Sequence, residues 1–460
     1  MTQALPKEVP QTLRRWKHYP AYKDSGVEWL GEIPKDWEVL HLRRVIRSFV
    51  DYRGATPEKV PDGIPLITAR NIKNGVIDFS LSQEYIREED YASWMVRGFP
   101  EAGDVLVTTE APLGESAQIL EENIALAQRI ILLKAEKSRI NNDYLKYYIA
   151  STAGKGELWS RATGSTAIGI KASHLRETLI TVPPSISEQK AIASFLDRET
   201  AKIDALIAKK ERLIELLQEK RTAIISHAVT KGLDPTAPLK DSGVEWLGEI
   251  PAHWEVKRLK FLTSLVTSGS RGWAQYYSDD GAIFLRIGNL SRTSIELDFQ
   301  DIQYVSPPRG TEGERTQVQQ NDVLLSITAY IGSVAVVTED IGEAYVNQHI
   351  ALTRPRKEVI NSRWLAYCLM SQIGQAQFGL LLYGGTKDGL GLGDVSNLYA
   401  FVTPLAEQIA VVEFINRETA KIDALIAKIR EGIEKLKEYR TALISAAVTG
   451  KIDVRNEVAL

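Results

Sequence analysis

Two stretches of the chain carry apolar residues at helical spacing for much longer than the rest. Residues 188–231 contain no Gly or Pro, and residues 407–449 contain a single one, Gly432. In the first stretch apolar positions recur at Ile192, Leu196, Ile203, Leu206, Leu213, Leu217 and Ile224, in steps of three, four and seven around Lys210 and Lys220. The second runs through Val411, Ile415, Ile422, Leu425, Ile429, Leu436 and Leu443. A seam with a seven-residue period predicts two long helices packed on each other. A pseudo-two-fold relation would make them antiparallel. The alternative is that each helix packs separately on its own neighbouring domain.

Elsewhere the period shortens. Brief β-rich runs such as GDVLVTT, broken by Gly, Asn and Asp, alternate with one helix per block, NNDYLKYYIAS and NSRWLAYCLMS, each opened by an Asn cap. These blocks read as α+β.

The pattern is also written twice. KDSGVEWLGEIP occupies 23–34 and 240–251, and RETAKIDALIAK occupies 198–209 and 417–428, so the offset holds at 217 to 219. Between these anchors the halves agree only in outline: GIPLITARNI answers GAIFLRIGNL, and NIALAQRIILLKA answers EAYVNQHIALTRP. The chain is a tandem duplication in which helices stay nearly fixed and the preceding blocks diverge.

Composition narrows the class. A chain of 460 residues with 44% hydrophobic and 25% charged residues is globular and long enough for more than one core. The single cysteine, Cys368, excludes an intrachain disulfide and sits in the apolar run WLAYCLM, where it reads as a small buried hydrophobe. No apolar run reaches membrane-spanning length and the first residues lack the apolar core of a signal peptide, so a cytoplasmic protein is expected. The net charge of -3 does not suggest nucleic-acid binding by bulk electrostatics.

Catalytic patterns are missing. No phosphate-binding G-x-x-x-x-G-K-[ST] loop occurs, and the Pro-Pro sites VPPS and SPPR lack the flanks of an Asn/Asp-Pro-Pro-aromatic methyl-transfer loop. The six histidines, His18, His41, His174, His227, His253 and His349, are scattered, with no metal-ligand spacing. The chain is therefore expected to be non-catalytic.

The ensemble resembles the DNA specificity subunit of type I restriction-modification systems. The carriers are VPPSISEQKAIASFLDRET, TPLAEQIAVVEFINRET, the preceding glycine-rich RATGSTAIGIKASHL and YGGTKDGLGLGDVSNL, and the repeated WLGEIP. The resemblance implies two α/β target recognition domains separated by two long antiparallel coiled-coil helices with an internal pseudo-two-fold repeat. On that basis 23–187 and 232–405 are expected to be recognition domains, 188–231 and 406–450 the shared helices, and 1–22 and 451–460 tails. It further implies that each recognition domain reads part of a bipartite site in double-stranded DNA. The helices would dock two methyltransferase subunits, and restriction/translocase subunits would join the full complex. S-adenosylmethionine, ATP and Mg2+ would then be used on those other subunits and no cofactor bound by this chain. The near-neutral charge fits a division of labour in which partners supply phosphate contacts. A duplicated coiled-coil scaffold for other proteins or a glycan, without a DNA role, is the rival reading.

Candidate DNA contacts fall in loops of the diverged blocks. Arg53 beside Gly54 aligns with Arg271 beside Gly272, an arrangement that suits a phosphate or a guanine edge, or an ordinary turn. Arg70 and Asn71, and Arg286 and Asn289, end matching strands; Arg suits guanine and Asn adenine, while Asn also caps turns. Arg161, Ser165, Thr166 and Lys171, and Thr386 with Lys387, lie in or beside flexible glycine-rich stretches suited to phosphate. Tyr330 and Tyr383 could stack on bases or sit in the core. Gln128 and Gln348, at matching positions, point to holding the fold or a phosphate. On the helices, Glu188-Gln189 and Glu407-Gln408 read as N-terminal turns. The repeated Arg198-Glu199 and Arg417-Glu418 face either a partner or solvent.

Overall fold

A computed structural model describes residues 13, 16–52, 54, 56–73, 75–164, 168–269, 272–306, 311–383 and 389–457. The chain divides into two units, residues 1–210 with 430–460, and residues 211–429. The division cuts across both long helices, Ile186–Lys231 and Leu405–Val448, so each unit holds one half of each.

In the first unit a four-stranded antiparallel sheet runs in the order Leu113–Gln118, Val105–Thr109, Ile130–Ala135, Ile46–Asp51. Its side chains alternate between two cores: Val105, Val107, Ile131 and Leu133 face the helices, while Leu106, Ile130 and Leu132 face a second, smaller sheet. Both faces being covered explains why IILLKA reads as a continuous apolar run rather than an alternation. The exception, Lys134, is buried and its ammonium lies 3.0 Å from Asp104 and 2.6 Å from Glu101. The smaller sheet, Ala125–Leu126, Ile64–Ile67 and Tyr85–Ile86, closes the domain.

The second unit repeats this plan. Its sheet order is Thr263–Ser268, Ile350–Pro355, Val323–Ser326, Val334–Val336, again with one face toward the helices and the other toward a smaller sheet. Arg354, in the place of Lys134, forks onto buried Asp322 with both bonds at 2.8 Å. The predicted helices form as Asn142–Ala150 and Ser362–Met370, capped by Asn141 and Asn361, whose side chains accept from Tyr144 N and Trp364 N. Each is followed at once by a further helix, Thr152–Ser160 or Gln372–Tyr383, which the glycine content of the first segment obscures in sequence.

The helix halves pair within each unit. In the first unit Asp204 receives two bonds from Arg440, and Lys210 lies against Gly432, so the segments run antiparallel. Gly432 thus falls where a lysine occupies the seam. In the second unit Arg221 donates to Asp423 at 3.1 Å. The predicted seam holds at Ile192, Leu196, Ile203, Val411, Ile415, Ile422, Ile429 and Leu443, all buried, but Leu206, Leu213 and Leu425 point outward, 43%, 43% and 45% exposed, while Ile426 and Ile433 are buried. Adjacent apolar pairs such as Leu206-Ile207 and Leu425-Ile426 allow two heptad frames, and packing selects the second member of each pair.

The duplicated KDSGVEWLGEIP forms the same hairpin in both units, Tyr22–Asp24 with Glu32–Pro34 and Leu239–Asp241 with Glu249–Pro251. Each hairpin fastens two helix ends. Trp37 donates to Glu188 and Trp254 to Glu407, at one helix start. Gly450 packs against Pro34 and Trp37, and Gly232 against Trp254, at the other helix's end. Both glycines have φ above 70°, as a helix C-terminal turn requires. Lys451 and Lys231 complete the clasp by donating to the carbonyls of Glu32 and Glu249.

The described parts of the expected tails, 13, 16–22 and 451–457, are built into the first unit. Lys17 pairs with Asp453 in an antiparallel bridge, Tyr22 donates to the Gly450 carbonyl, and Tyr19, Ile452 and Val454 are buried. At the corresponding place in the second unit the chain simply continues from the first long helix into the strand Leu239–Asp241.

Candidate nucleic-acid interface

Antiparallel pairing brings alternate strand ends to one edge of the sheet. In the first unit the register sets Asp51 opposite Ile131, Thr108 opposite Ile130 and Thr109 opposite Leu113. The loop after Asp51, the hairpin tip at 110–112 and the turn at 127–129 therefore emerge together. The glycine-rich stretch joins them through the bridges Glu110–Gly169 and Thr163–Gly169, and Ile170 N donates to Thr109 O. A Cβ at Gly169 would come 3.0 Å from Thr109 O, so these backbones approach closely there.

The second unit gathers the equivalent loops. Gly269 N donates to Asn347 O, Leu390 N donates to Ile327 O, and a Cβ at Gly389 would lie 2.7 Å from that same carbonyl. His349 Nδ1 sits 2.9 Å from Thr328 Oγ1. The loop segments that converge are those whose sequences diverge between the halves.

Of the predicted contacts, Gly54 and Gly272 lie at this sheet end, and their neighbours Arg53 and Arg271 lie outside the described residues, as do Ser165, Thr166, Thr386 and Lys387. Tyr383 closes the helix Gln372–Tyr383 beside the glycine-rich stretch. Tyr330 projects from the second hairpin tip, 70% exposed. Lys171 is exposed at the end of the first glycine-rich stretch. Gln348 is half-buried with its amide 3.0 Å from His349 Nε2, and Gln128 is half-buried at the matching turn. Arg70 is exposed in the turn Ala69–Asn71 of the smaller sheet, and Arg286 is paired at 2.9 Å with the freely exposed Asp301.

Three predicted contacts are engaged otherwise. Asn71 and Asn289 are buried, 0% and 3% exposed. The Asn71 oxygen accepts from Thr68 N and its amide donates to the Asp78 and Ser82 carbonyls. Asn289 repeats this with Arg286 N, Asp298 O and Asp301 O. Both amide hydrogens being used, neither side chain is free to read a base; turn capping is the role the geometry assigns. Arg161 is the counter-ion of buried Glu157, at 3.0 Å.

Two charged residues escaped the sequence reading. Arg129 pairs with Glu110 at 3.5 Å across the first unit's loop cluster, and Arg292 stands over the Tyr330 ring in the second. The signal for Arg129 was present in the alignment of AQR with NQH.

On the helices, the repeated triads behave alike locally. Lys202 and Arg198 hold the Glu199 carboxyl low against its burial, and Lys421 with Arg417 holds Glu418 below the ordinary carboxylate range. Their surroundings differ. Arg198 also donates to the Glu457 carbonyl at 2.6 Å and is covered by the C-terminal segment, whereas Arg417 is 61% exposed. Gln189 and Gln408 turn inward and bind Asn141 N and Asn361 N, tying each long helix to the capped helix before it.

Known proteins resemble this chain in sequence and in fold. The chain is 23% identical over 399 residues to the EcoBI specificity subunit of Escherichia coli, covering 85% of this chain and 80% of that one. In fold it is similar to a chain from the structural study of assembly and conformational transition of the type I R-M system, with TM-score 0.64, 18% identity, and 91% and 99% of the two chains covered. The HsdS subunit of Thermoanaerobacter tengcongensis gives 0.51 at 18% identity, covering 91% and 98%. The family model for the type I restriction modification DNA specificity domain matches twice, at residues 34–216 and 288–435. With two matched copies, one in each half of the duplication, the chain belongs to the family of type I restriction-modification specificity subunits.

Proposed function

We propose that this chain is the non-catalytic reader of a type I restriction-modification complex, each unit reading one part of a bipartite site in double-stranded DNA. One observation carries the reading. Loops of unlike sequence leave the same end of the same four-stranded sheet in both units, while the sheet, the Asn-capped helix and the clasping hairpin beneath them recur. A fixed frame with interchangeable loops suits two readers of different half-sites.

The long helices offer the repeated text that two methyltransferase subunits would need. Leu206 and Leu425, outward-facing in both copies of RETAKIDALIAK, give each copy the same apolar position beside the Arg-Glu-Lys triad. Restriction and translocase subunits complete the complex in this reading. S-adenosylmethionine, ATP and Mg2+ act on those partners, which also supply phosphate contacts that a chain of charge -3 lacks.

The test is methylation mapping of host DNA with and without this chain. A bipartite methylated motif that disappears with the chain supports the reading, and an unchanged methylation pattern refutes it. The scaffold alternative predicts the unchanged pattern.

A further inference from the structure

The hairpin tips of the two units differ in a way that the shared scaffold does not require. Each holds a non-glycine residue in left-handed backbone, Ala111 at φ 45° and Tyr330 at φ 51°. That conformation is rare for a bulky L-residue and persists only where neighbours over-determine it. Around Tyr330 they do. Its carbonyl accepts three bonds, from Ser326 Oγ at 2.5 Å, Ser333 Oγ at 3.0 Å and Ser333 N at 3.1 Å. Gly332 tightens the same turn, since a Cβ there would meet Gln375 and Phe378 at 2.7 Å.

What this backbone holds in place is an aromatic ring left in solvent, 70% exposed. Burial does not explain it, because so exposed a ring removes little apolar surface from water. Turn chemistry does not explain it either, since Gly, Asn or Asp would fit the left-handed position with less strain. The Arg292 guanidinium lies 5.9 Å from the ring centroid and donates to the Ile331 carbonyl at 3.3 Å, backing one side of the ring. The ring also lies at the sheet end where the Gly269, Asn347–His349 and Leu390 segments meet.

We infer that Tyr330 is a specificity-determining residue of the second unit, stacking on a base at one opened step of its half-site with Arg292 behind it. The inference rests on the DNA-reading function proposed above. A fixed aromatic ring loses little freedom on stacking, and every base offers it a π face. In duplex DNA that face becomes accessible only where a step is unstacked, which pyrimidine–purine steps allow at least cost. The second unit would thus select a deformable step in addition to base edges. The first unit, with Ala111 and Pro112 at its tip, has no aromatic ring to insert there.

The experiment uses the complex assembled with its methyltransferase subunits and duplexes carrying 2-aminopurine at successive positions of the mapped motif. The wild-type complex is expected to raise fluorescence at one position, in one half-site only. Tyr330→Phe keeps the ring and should retain that signal. Tyr330→Ala and Tyr330→Gly should abolish it, weaken binding by about 10-fold or more, and change base preference at that step while the other half-site stays intact. Tyr330→Gly also relieves the backbone strain, so unchanged or raised thermal stability beside lost signal separates contact from folding. Wild-type fluorescence, affinity and motif in both small-residue variants would overturn the inference. Wild-type complex that modifies no chain-dependent motif overturns the DNA-reading function itself, and this inference with it.

Discussion

Asn71 and Asn289 show how one residue type can carry two opposed readings until its surroundings are known. Each follows an arginine within three residues at a strand end, a pattern that fits a base-reading pair, yet each amide is consumed by backbone groups of its own turn. Asn289→Ala leaves Arg286 N, Asp298 O and Asp301 O without that partner. At about 1 kcal/mol per hydrogen bond the second unit should lose about 2–4 kcal/mol in chemical denaturation. The methylated motif should remain unchanged in whatever fraction folds. A changed motif at undiminished stability would instead make Asn289 a base contact.

Glu407 gives the residue scale a pH dependence. Burial works to raise its carboxyl, but bonds from Thr403, His253 and Trp254 outweigh that and hold it below the ordinary range. A folded value below the unfolded one means stability that is present above about pH 4.3 and lost as pH falls through the lower folded value. Glu407→Gln should be less stable than wild type at neutral pH and lack this increment of acid sensitivity. Thermal unfolding measured from about pH 3 to 7 checks both. Parallel curves offset by a constant would remove the carboxylate from the account.

At the scale of elements, the long helices were visible because a run of more than 40 residues without proline has few other options, but their inward faces were legible only in part. Leu425 and Ile426 are neighbours of similar size, and periodicity alone accepts either at the seam. The structure buries Ile426 to 6% and leaves Leu425 45% exposed. Ile426→Ala should therefore cost about 2–4 kcal/mol. Leu425→Ala should stay within about 0.5 kcal/mol, while weakening assembly with a methyltransferase subunit if the outward face docks it. Denaturant titration of both variants decides the frame; reversed costs would restore the seam through Leu425. The duplicated hairpin is the element whose role the sequence concealed. Its identity in the two copies marked the duplication, and the structure gives each copy an internal duty at paired helix ends.

For the molecule as a whole, the structural units do not coincide with the written repeats. Each unit takes one helix half from each copy, and the first unit closes by non-covalent pairing of chain ends where the second closes by an unbroken backbone. The diverged blocks nevertheless remain local to their units. Exchanging residues 51–181 for the corresponding block of another family member should change one half-site and leave the other as it was. Motif mapping of the hybrid is the measurement, and a change in both halves would sink the modular reading. The exchange keeps Trp37, Glu188 and the hairpin at 22–34, so the clasp on the helix ends is preserved.

The sequence by itself determined the features that local sterics enforce: the duplication, both long helices, the Asn-capped helices and the α+β character of the diverged blocks. Helix periodicity and capping depend on residues three or four apart, so they are written within a short window. Tertiary structure decided what depends on distant partners. It chose between adjacent apolar residues at the seam, buried two asparagines that looked exposed, and turned Arg161 toward Glu157 and Arg198 toward the chain's far end. It also brought loops more than 50 residues apart to one sheet end. Those outcomes follow from strand register and helix packing across long separations, where a residue's environment is set by what the rest of the chain places beside it.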